Sequence, residues 1–193
     1  MTLTAFADQL TQKAKDRQGR MAFPEDDDPR ILQAALELLR DQVVSQVLFC
    51  SPARVAQTAN DHGIDLTPFA PKIAYTETDF PEAFEETVHL YQHFFEKRGK
   101  SISDADLKSQ GESRLAQCGA VLAKGAVDCV VAGVVANTAE VIRTAMATVG
   151  LAEGIRTISG SFVMVPPRGD QVLLYADAGV VIAPKIPQLV DIA

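Results

Sequence analysis

No stretch of this sequence approaches the ~20 consecutive apolar residues that a bilayer-spanning helix needs. The N-terminus also lacks the charged start and long apolar core of a signal peptide. Positive charge is short: 18 Lys and Arg stand against 25 Asp and Glu, a formal net charge of -7. The acidity sits mainly in residues 1–109, and no basic stripe remains to displace counterions from a nucleic acid or to hold an anionic membrane surface. Neither is expected as a partner. Cysteine is scarce too. Cys50, Cys118 and Cys129 stand far apart without a C-x-x-C, and two of them lie in apolar runs, so reduced buried thiols are expected rather than a disulfide or a zinc site. No P-loop and no Ser/His/Asp arrangement is visible. What is present is ordinary, 47% hydrophobic and 22% charged residues over 193 positions. That length suits one domain, or one domain plus part of another, with a sizeable core. A cytoplasmic enzyme or binding protein is the expectation.

Apolar periodicity then switches repeatedly between helix and strand. Residues 3–17 set Leu3, Phe6, Ala7, Leu10 and Ala14 on one stripe, an amphipathic helix with Gly19 as its stop. Arg20 to Pro24 reads as a short strand. Helix 29–41 follows with Ile31, Ala34, Ala35, Leu38 and Leu39 inward, then a strand over Gln46 to Cys50. Ser51 is placed to cap helix 52–61 and Gly63 to close it. Lys72 to Tyr75 is a third strand, and helix 79–97 turns Phe84, Val88, Tyr91 and Phe95 inward. The polar segment RGKSISDAD leads to helical segments 104–109 and 111–124. Val127 to Ala132 is apolar on both faces, as a strand at the centre of a parallel sheet would be. Helix 138–149 ends at Gly150. Beyond it come strand 156–166, a turn over residues 166–170, strand 171–177 and an apolar tail punctuated by prolines.

Strands alternating with helices over 20–150 predict an α/β fold with a doubly wound, mostly parallel sheet flanked by helices. Residues 1–150 are expected to form that domain. Residues 151–193 hold a hairpin and one more connection, too little for a domain of their own.

Three constellations could carry chemistry. In VVAGVVANTAEVIRTAM, residues 130–146, Asn137 sits at an N-cap with Glu140 three residues later, a capping-box arrangement. A helix that starts beyond the carboxyl end of a strand aims free N–H groups and a positive dipole end at the sheet's crevice, a ready anion site. Thr138 adds a hydroxyl and Arg143 a fork suited to phosphate. A well-capped surface helix with an exposed arginine explains the same pattern. In FPEDDDPR, residues 23–30, three aspartates could hold Mg²⁺ or form the acidic pocket of a phospho-receiver-like regulatory domain. Such a domain would need an aspartate ending the third strand, and the nearest is Asp79. The plainer reading has Asp28 capping a helix whose first position is Pro29. His89 and His93, four apart, could hold zinc, but the segment lacks the glutamate of H-E-x-x-H, and a solvated face is preferred; no metal site is expected.

In order along the chain, these segments resemble the phosphate acetyltransferase and phosphate butyryltransferase family. Phe23-Pro24-Glu25 with Arg30 is similar to its F-P-E-G-x-x-x-R, with Asp26 in place of the glycine. VAGVVANTAEVIR, residues 131–143, resembles V-S-G-A-x-H-S-T-A-D-T-x-R, with Asn137 for the serine and Ala136 for the histidine. TISGSFVM, residues 157–164, resembles T-V-S-S-x-F-L-M, and LLYAD, residues 173–177, resembles L-L-F-A-D. Gln188, Leu189, Ile192 and Ala193 match the end of that block, although Val181 replaces its asparagine. The matches run from residue 21 to 193.

The resemblance implies two α/β domains with the site in the cleft between them, the second incomplete here over 151–193. It implies reversible acyl transfer between an acyl phosphate and coenzyme A, with coenzyme A as substrate, no tightly bound cofactor and no metal at the chemical step. Asn137, Thr138, Arg143, Arg98, Ser159 and Asp177 would then be the substrate-binding residues. Lys97 or Lys100 could take the place of Arg98, since EKRGK matches the family's basic segment only loosely. Acyl transfer needs a base for the thiol and donors for the developing oxyanion, and no catalytic residue is identifiable. Cys118 and Cys129 have no cationic or basic partner in sequence. The chain is therefore expected to be the N-terminal part of a longer acyltransferase, incomplete for catalysis. The alternatives are a non-catalytic relative that binds coenzyme A or an acyl phosphate, or an oligomerisation partner. Val163, Val165, Val172, Leu174 and residues 180–182 are too apolar to face water, so pairing with another copy or a second chain is expected.

Overall fold

Short apolar runs become four parallel strands. The computed structural model describes residues 3–166 and 171–193. The chain divides into two units, Ala14–Gly150 and a smaller one of Leu151–Ala193 with the N-terminal residues up to Lys13. In chain order the elements up to Gly150 are α1 (Leu3–Arg17), β1 (Gly19–Ala22), α2 (Pro29–Arg40), β2 (Val44–Phe49), α3 (Pro52–His62), a 3-10 turn at Thr67–Lys72, β3 (Ile73–Tyr75), the single turn α4 (Thr76–Asp79), α5 (Ala83–Glu96), α6 (Asp104–Gly111), α7 (Arg114–Ala123), β4 (Cys129–Val130) and α8 (Thr138–Thr148). The strands lie in the order β3-β2-β1-β4, every neighbouring pair parallel. This is the α/β architecture that the alternation predicts. Parallel neighbours require crossovers, and the helices supply them.

The strand β2 shows why helices cover both faces. Its side chains alternate between two cores. Val47 and Phe49 pack with Ile31, Leu32, Leu36, Leu39 and Val55 of α2 and α3. Leu48 and the following Cys50 pack with Ala22, Cys118, Val121 and Val127 on the α7 side. Burying each such side chain contributes roughly 1.5–3 kcal/mol. A third cluster, Tyr91, Ala116 and Ala147, joins α5, α7 and α8.

Several elements differ from expectation. The buried stripe of α2 is Ile31, Leu32, Ala35, Leu36 and Leu39; Ala34 is exposed and Leu38 half-buried. The helix α1 covers the expected residues 3–17, but the residue that turns the chain out of it is Gln18, with a left-handed φ of 50°, rather than Gly19. The strand β4 is an edge strand of two paired residues, bonded to β1 alone among the described residues. It reads as central because its residues are apolar, yet Cys129 and Val131 are exposed.

In the smaller unit, β5 (Ser161–Met164) and β6 (Leu173–Ala176) pair antiparallel. These are the cores of the two expected strands, and every one of the eight paired residues is exposed. The expected turn at 166–170 falls mostly on 167–170, outside the described residues. The proline-punctuated tail forms a helix, α9 (Ile186–Ile192), with Pro187 in its first turn, where its missing N–H has no partner to lose. No helix among the described residues is long and apolar enough to cross a membrane.

Candidate functional site

The loops that follow β1 and β4 lie side by side because those strands are paired. Glu25 joins them. Its carboxylate accepts four successive backbone N–H groups, from Gly133 at 3.1 Å, Val134 at 2.9 Å, Val135 at 2.9 Å and Ala136 at 2.8 Å. Burial pushes the carboxyl's pKa up, but the four donors outweigh it and hold the group below its ordinary value. The next two residues are engaged differently. Asp26, fully buried, accepts from the N–H groups of Cys50 at 3.0 Å and Ser51 at 2.8 Å. It also meets Arg114 at 2.6 Å and Arg54 at 3.4 Å. The other arm of the Arg114 guanidinium reaches Asp27 at 2.9 Å. That bond holds the Asp27 carboxyl below its usual range and raises the pKa of Arg114.

The third aspartate is the cap that the Asp-Pro pair predicts. Asp28 accepts the N–H of Arg30 at 2.9 Å and its guanidinium at 2.6 Å. The arginine lowers its pKa to about 2. Arginines and backbone amides thus take the oxygens that a Mg²⁺ ion would use. Among the described residues no group of three His, Cys, Asp or Glu is placed to hold a metal ion, and His89 and His93 are exposed on α5.

The helix α8 starts at Asn137, whose Oδ1 accepts the N–H of Glu140 at 3.0 Å. The capping arrangement is made on this side; the Glu140 side chain lines a cavity instead. That cavity, about 840 Å³, lies against α5, α6 and α8, within the usual range of ligand sites. Arg98, Lys100 and Arg143 line it with Ser101, Ser103, Ser109, Ser113 and Thr144, and Tyr91, Phe94, Phe95 and Met146 supply apolar surface. The Arg98 guanidinium stacks 3.5 Å from the centre of the Phe94 ring and donates to the Phe94 carbonyl at 3.2 Å. Among the described residues no carboxylate forms an ion pair with Arg98, Lys100 or Arg143. The Tyr91 hydroxyl meets Thr144 at 3.3 Å, which ties α5 to α8. Asp106 and Glu140 also line the cavity; with three cations that pair with neither of them, several hydroxyls and an aromatic wall, it can receive a polyanion that carries a flat ring.

Of the six residues singled out from the sequence, Arg98 and Arg143 line this one cavity. Asn137 and Thr138 form the exposed first turn of α8. Ser159 and Asp177 belong to the smaller unit. Ser159 is exposed just before β5, and Asp177 accepts from the N–H groups of Gly160 at 2.7 Å, Val180 at 3.0 Å and Val181 at 2.5 Å, which lowers its pKa. Sequence reasoning missed the bonds of Glu25, because backbone donors leave no side-chain signature. It also missed Arg114 and Arg54, which are 88 residues from Asp26 and on a separate helix, respectively. Lys100 came forward only as a substitute for Arg98, yet both line the cavity. Cys50 and Cys118 are buried with their sulfurs 3.6 Å apart, and their contact and burial raise the Cys118 pKa. Cys129 is exposed rather than buried.

Comparison with known proteins gives a consistent result. The family model described as phosphate acetyl/butaryl transferase matches residues 5–193. The phosphate acetyltransferase of Deinococcus radiodurans is 31% identical over 190 residues, 98% of this chain and 26% of that protein. That of Bacillus subtilis is 29% identical over 186 residues, 95% of this chain and 54% of that one. The crystal structure of a phosphotransacetylase from Streptococcus pyogenes superposes with a TM-score of 0.79 at 21% identity, covering 98% of this chain and 55% of that one. The chain thus spans from about a quarter to about half the length of these relatives.

Proposed function

The chain belongs to the phosphate acetyl/butaryl transferase family, and from that premise we propose that it carries the coenzyme A side of a site for reversible acyl transfer between an acyl phosphate and coenzyme A. The supporting observation is the cavity lined by Arg98, Lys100 and Arg143. Coenzyme A offers phosphates for the cations and an adenine ring for the aromatic wall. Arg143, in the second turn of α8, takes a phosphate of coenzyme A or of the acyl phosphate. Asn137 and Thr138 order the start of that helix, and Ser159 and Asp177 are assigned to substrate binding within the unit that begins at Leu151. That unit is the start of a further α/β domain, and its exposed apolar strands are covered in a homo-oligomer. The protein works in the cytoplasm, with no tightly bound cofactor.

In the reaction, the thiol loses its proton and its sulfur attacks the acyl carbon. A carbon–sulfur bond forms as the carbon–oxygen bond to phosphate breaks, and phosphate leaves with that electron pair. The cations hold the phosphates in place before the attack, which lowers the entropic part of the barrier. No base for the thiol is assigned within this chain, so the 193 residues are proposed to bind without turning over.

The test is calorimetric titration of coenzyme A into the folded chain, with thioester formation from acetyl phosphate and butyryl phosphate followed alongside. Binding is expected, with Arg98→Ala and Arg143→Ala each weakening it about tenfold. A folded chain that takes up no coenzyme A would refute the reading. Turnover that is lost on Arg143→Ala would mean that the base lies within these residues after all.

A further inference from the structure

The loop between β4 and α8 has little to hold it by its own side chains. Val131, Val134 and Val135 are exposed, and Gly133 takes a φ of 108° that a side-chain-bearing residue rarely adopts. What shapes it is Glu25, a residue only 6% exposed. Four consecutive amides, Gly133 to Ala136, converge on that one carboxylate. Oε1 receives three of them and Oε2 the fourth. Successive N–H groups gathered on one anion fold a loop into a concave nest. This nest ends at Asn137, the cap of α8. Six residues on, α8 puts Arg143 and then Thr144 into the cavity wall.

We propose that Glu25 is a positioning residue: by gathering the amides of 133–136 it sets where α8 starts and how it leaves the sheet, and so where Arg143 stands in the cavity. This rests on the reading of the cavity as the coenzyme A site. A binding group is only as well placed as the shell that supports it. Glu25 does not reach the cavity itself, so its influence runs through α8. The freed amides of an exposed loop would turn to water, so the loss of the clamp shows in placement more than in overall stability.

The experiment compares the wild-type chain with Glu25→Gln, which keeps the shape but has one acceptor oxygen, and Glu25→Ala, which has none. Each is also combined with Arg143→Ala. Coenzyme A affinity is measured by calorimetry and amide exchange by NMR. Glu25→Gln is expected to weaken coenzyme A about tenfold, and Arg143→Ala in that background to add little, because the arginine is already misplaced. Exchange at 133–143 is expected to rise about 100-fold while the amides of β1 and β2 stay protected. Losses that simply add, or Glu25 variants that bind like wild type, would overturn the proposal. Should Glu25→Ala fail to fold, Glu25→Gln carries the comparison. If the wild-type chain takes up no coenzyme A, the reading of the cavity falls and exchange alone decides. Acceleration confined to 133–143 then upholds Glu25 as the brace of α8, and unchanged exchange there overturns it.

Discussion

Asp26 occupies the position where the family pattern has glycine, and it fills that position with a network. It has no exposed surface, and its oxygens meet two arginines and two backbone N–H groups. Removing one partner of a buried charge pair costs about 3–5 kcal/mol where the other is left stranded. Arg114 is 31% exposed and keeps Asp27, so Asp26→Ala is expected near the low end, about 3 kcal/mol, and Asp26→Asn at about half of that. Urea unfolding followed by circular dichroism measures both, and equal stability of Asp26→Ala and wild type would refute the account. Acid titration probes the neighbouring carboxyls. Glu25, Asp27 and Asp28 all have lowered pKa values, so the folded state binds fewer protons than the unfolded chain. Their contribution is complete above the ordinary carboxylate range and is lost as pH falls; for Asp28 the window runs from 3.8 down to about 2. Stability measured against pH should decline through that window, and the decline should shrink in Arg30→Ala. At this scale the Asp28 cap is legible, because Asp followed by Pro has a local meaning. The partners of Glu25 and Asp26 come from distant chain and are not.

Helices were legible as periods and less so as faces. In ILQAALELL apolar residues are so dense that two stripes fit, and the one that is buried contains Leu32 and Leu36. Leu32→Ala is therefore expected to cost about 3 kcal/mol and Leu38→Ala about 1 kcal/mol, a contrast that thermal unfolding resolves and that the expected stripe would reverse. A second contact at this scale depends on a glycine. The helices α7 and α8 touch at Gly119, where an added Cβ would come within 3.0 Å of the Thr148 Cβ. Gly119→Ala is expected to cost about 1–3 kcal/mol and to move chemical shifts along α8. A stable variant with an unmoved α8 would show that the contact has room for a methyl group and would refute the account. The strand β4 was misread as central because an apolar run carries no mark of how many neighbours it has. Conversely, α9 was hidden by prolines that in fact stand at its start.

For the whole molecule, the alternation of strand and helix identified the α/β class, because each parallel pair demands a crossover. The smaller unit leaves much apolar surface unburied. Phe162 is 61% exposed and Leu174 70% exposed, with Val163, Met164, Tyr175 and Val190 exposed as well. Patches of this kind mark interaction surfaces. Sedimentation of the chain is expected to show self-association that Leu174→Lys weakens. A monomer at all concentrations, with the hairpin ordered, would refute this.

The position of β4 has a consequence for the order in which the chain folds. The strand β1 finds β2 within a short stretch of sequence, but its other neighbour is brought by bonds that span 108 residues between Arg20 and Asp128 and 111 between Glu25 and Ala136. Closing so long a loop is entropically unfavourable before many other contacts exist. The β1–α2–β2–α3–β3 segment is therefore expected to form the folding nucleus, with β4 docking on the downhill side of the barrier. Val47→Ala should slow folding, whereas Val130→Ala should mainly speed unfolding.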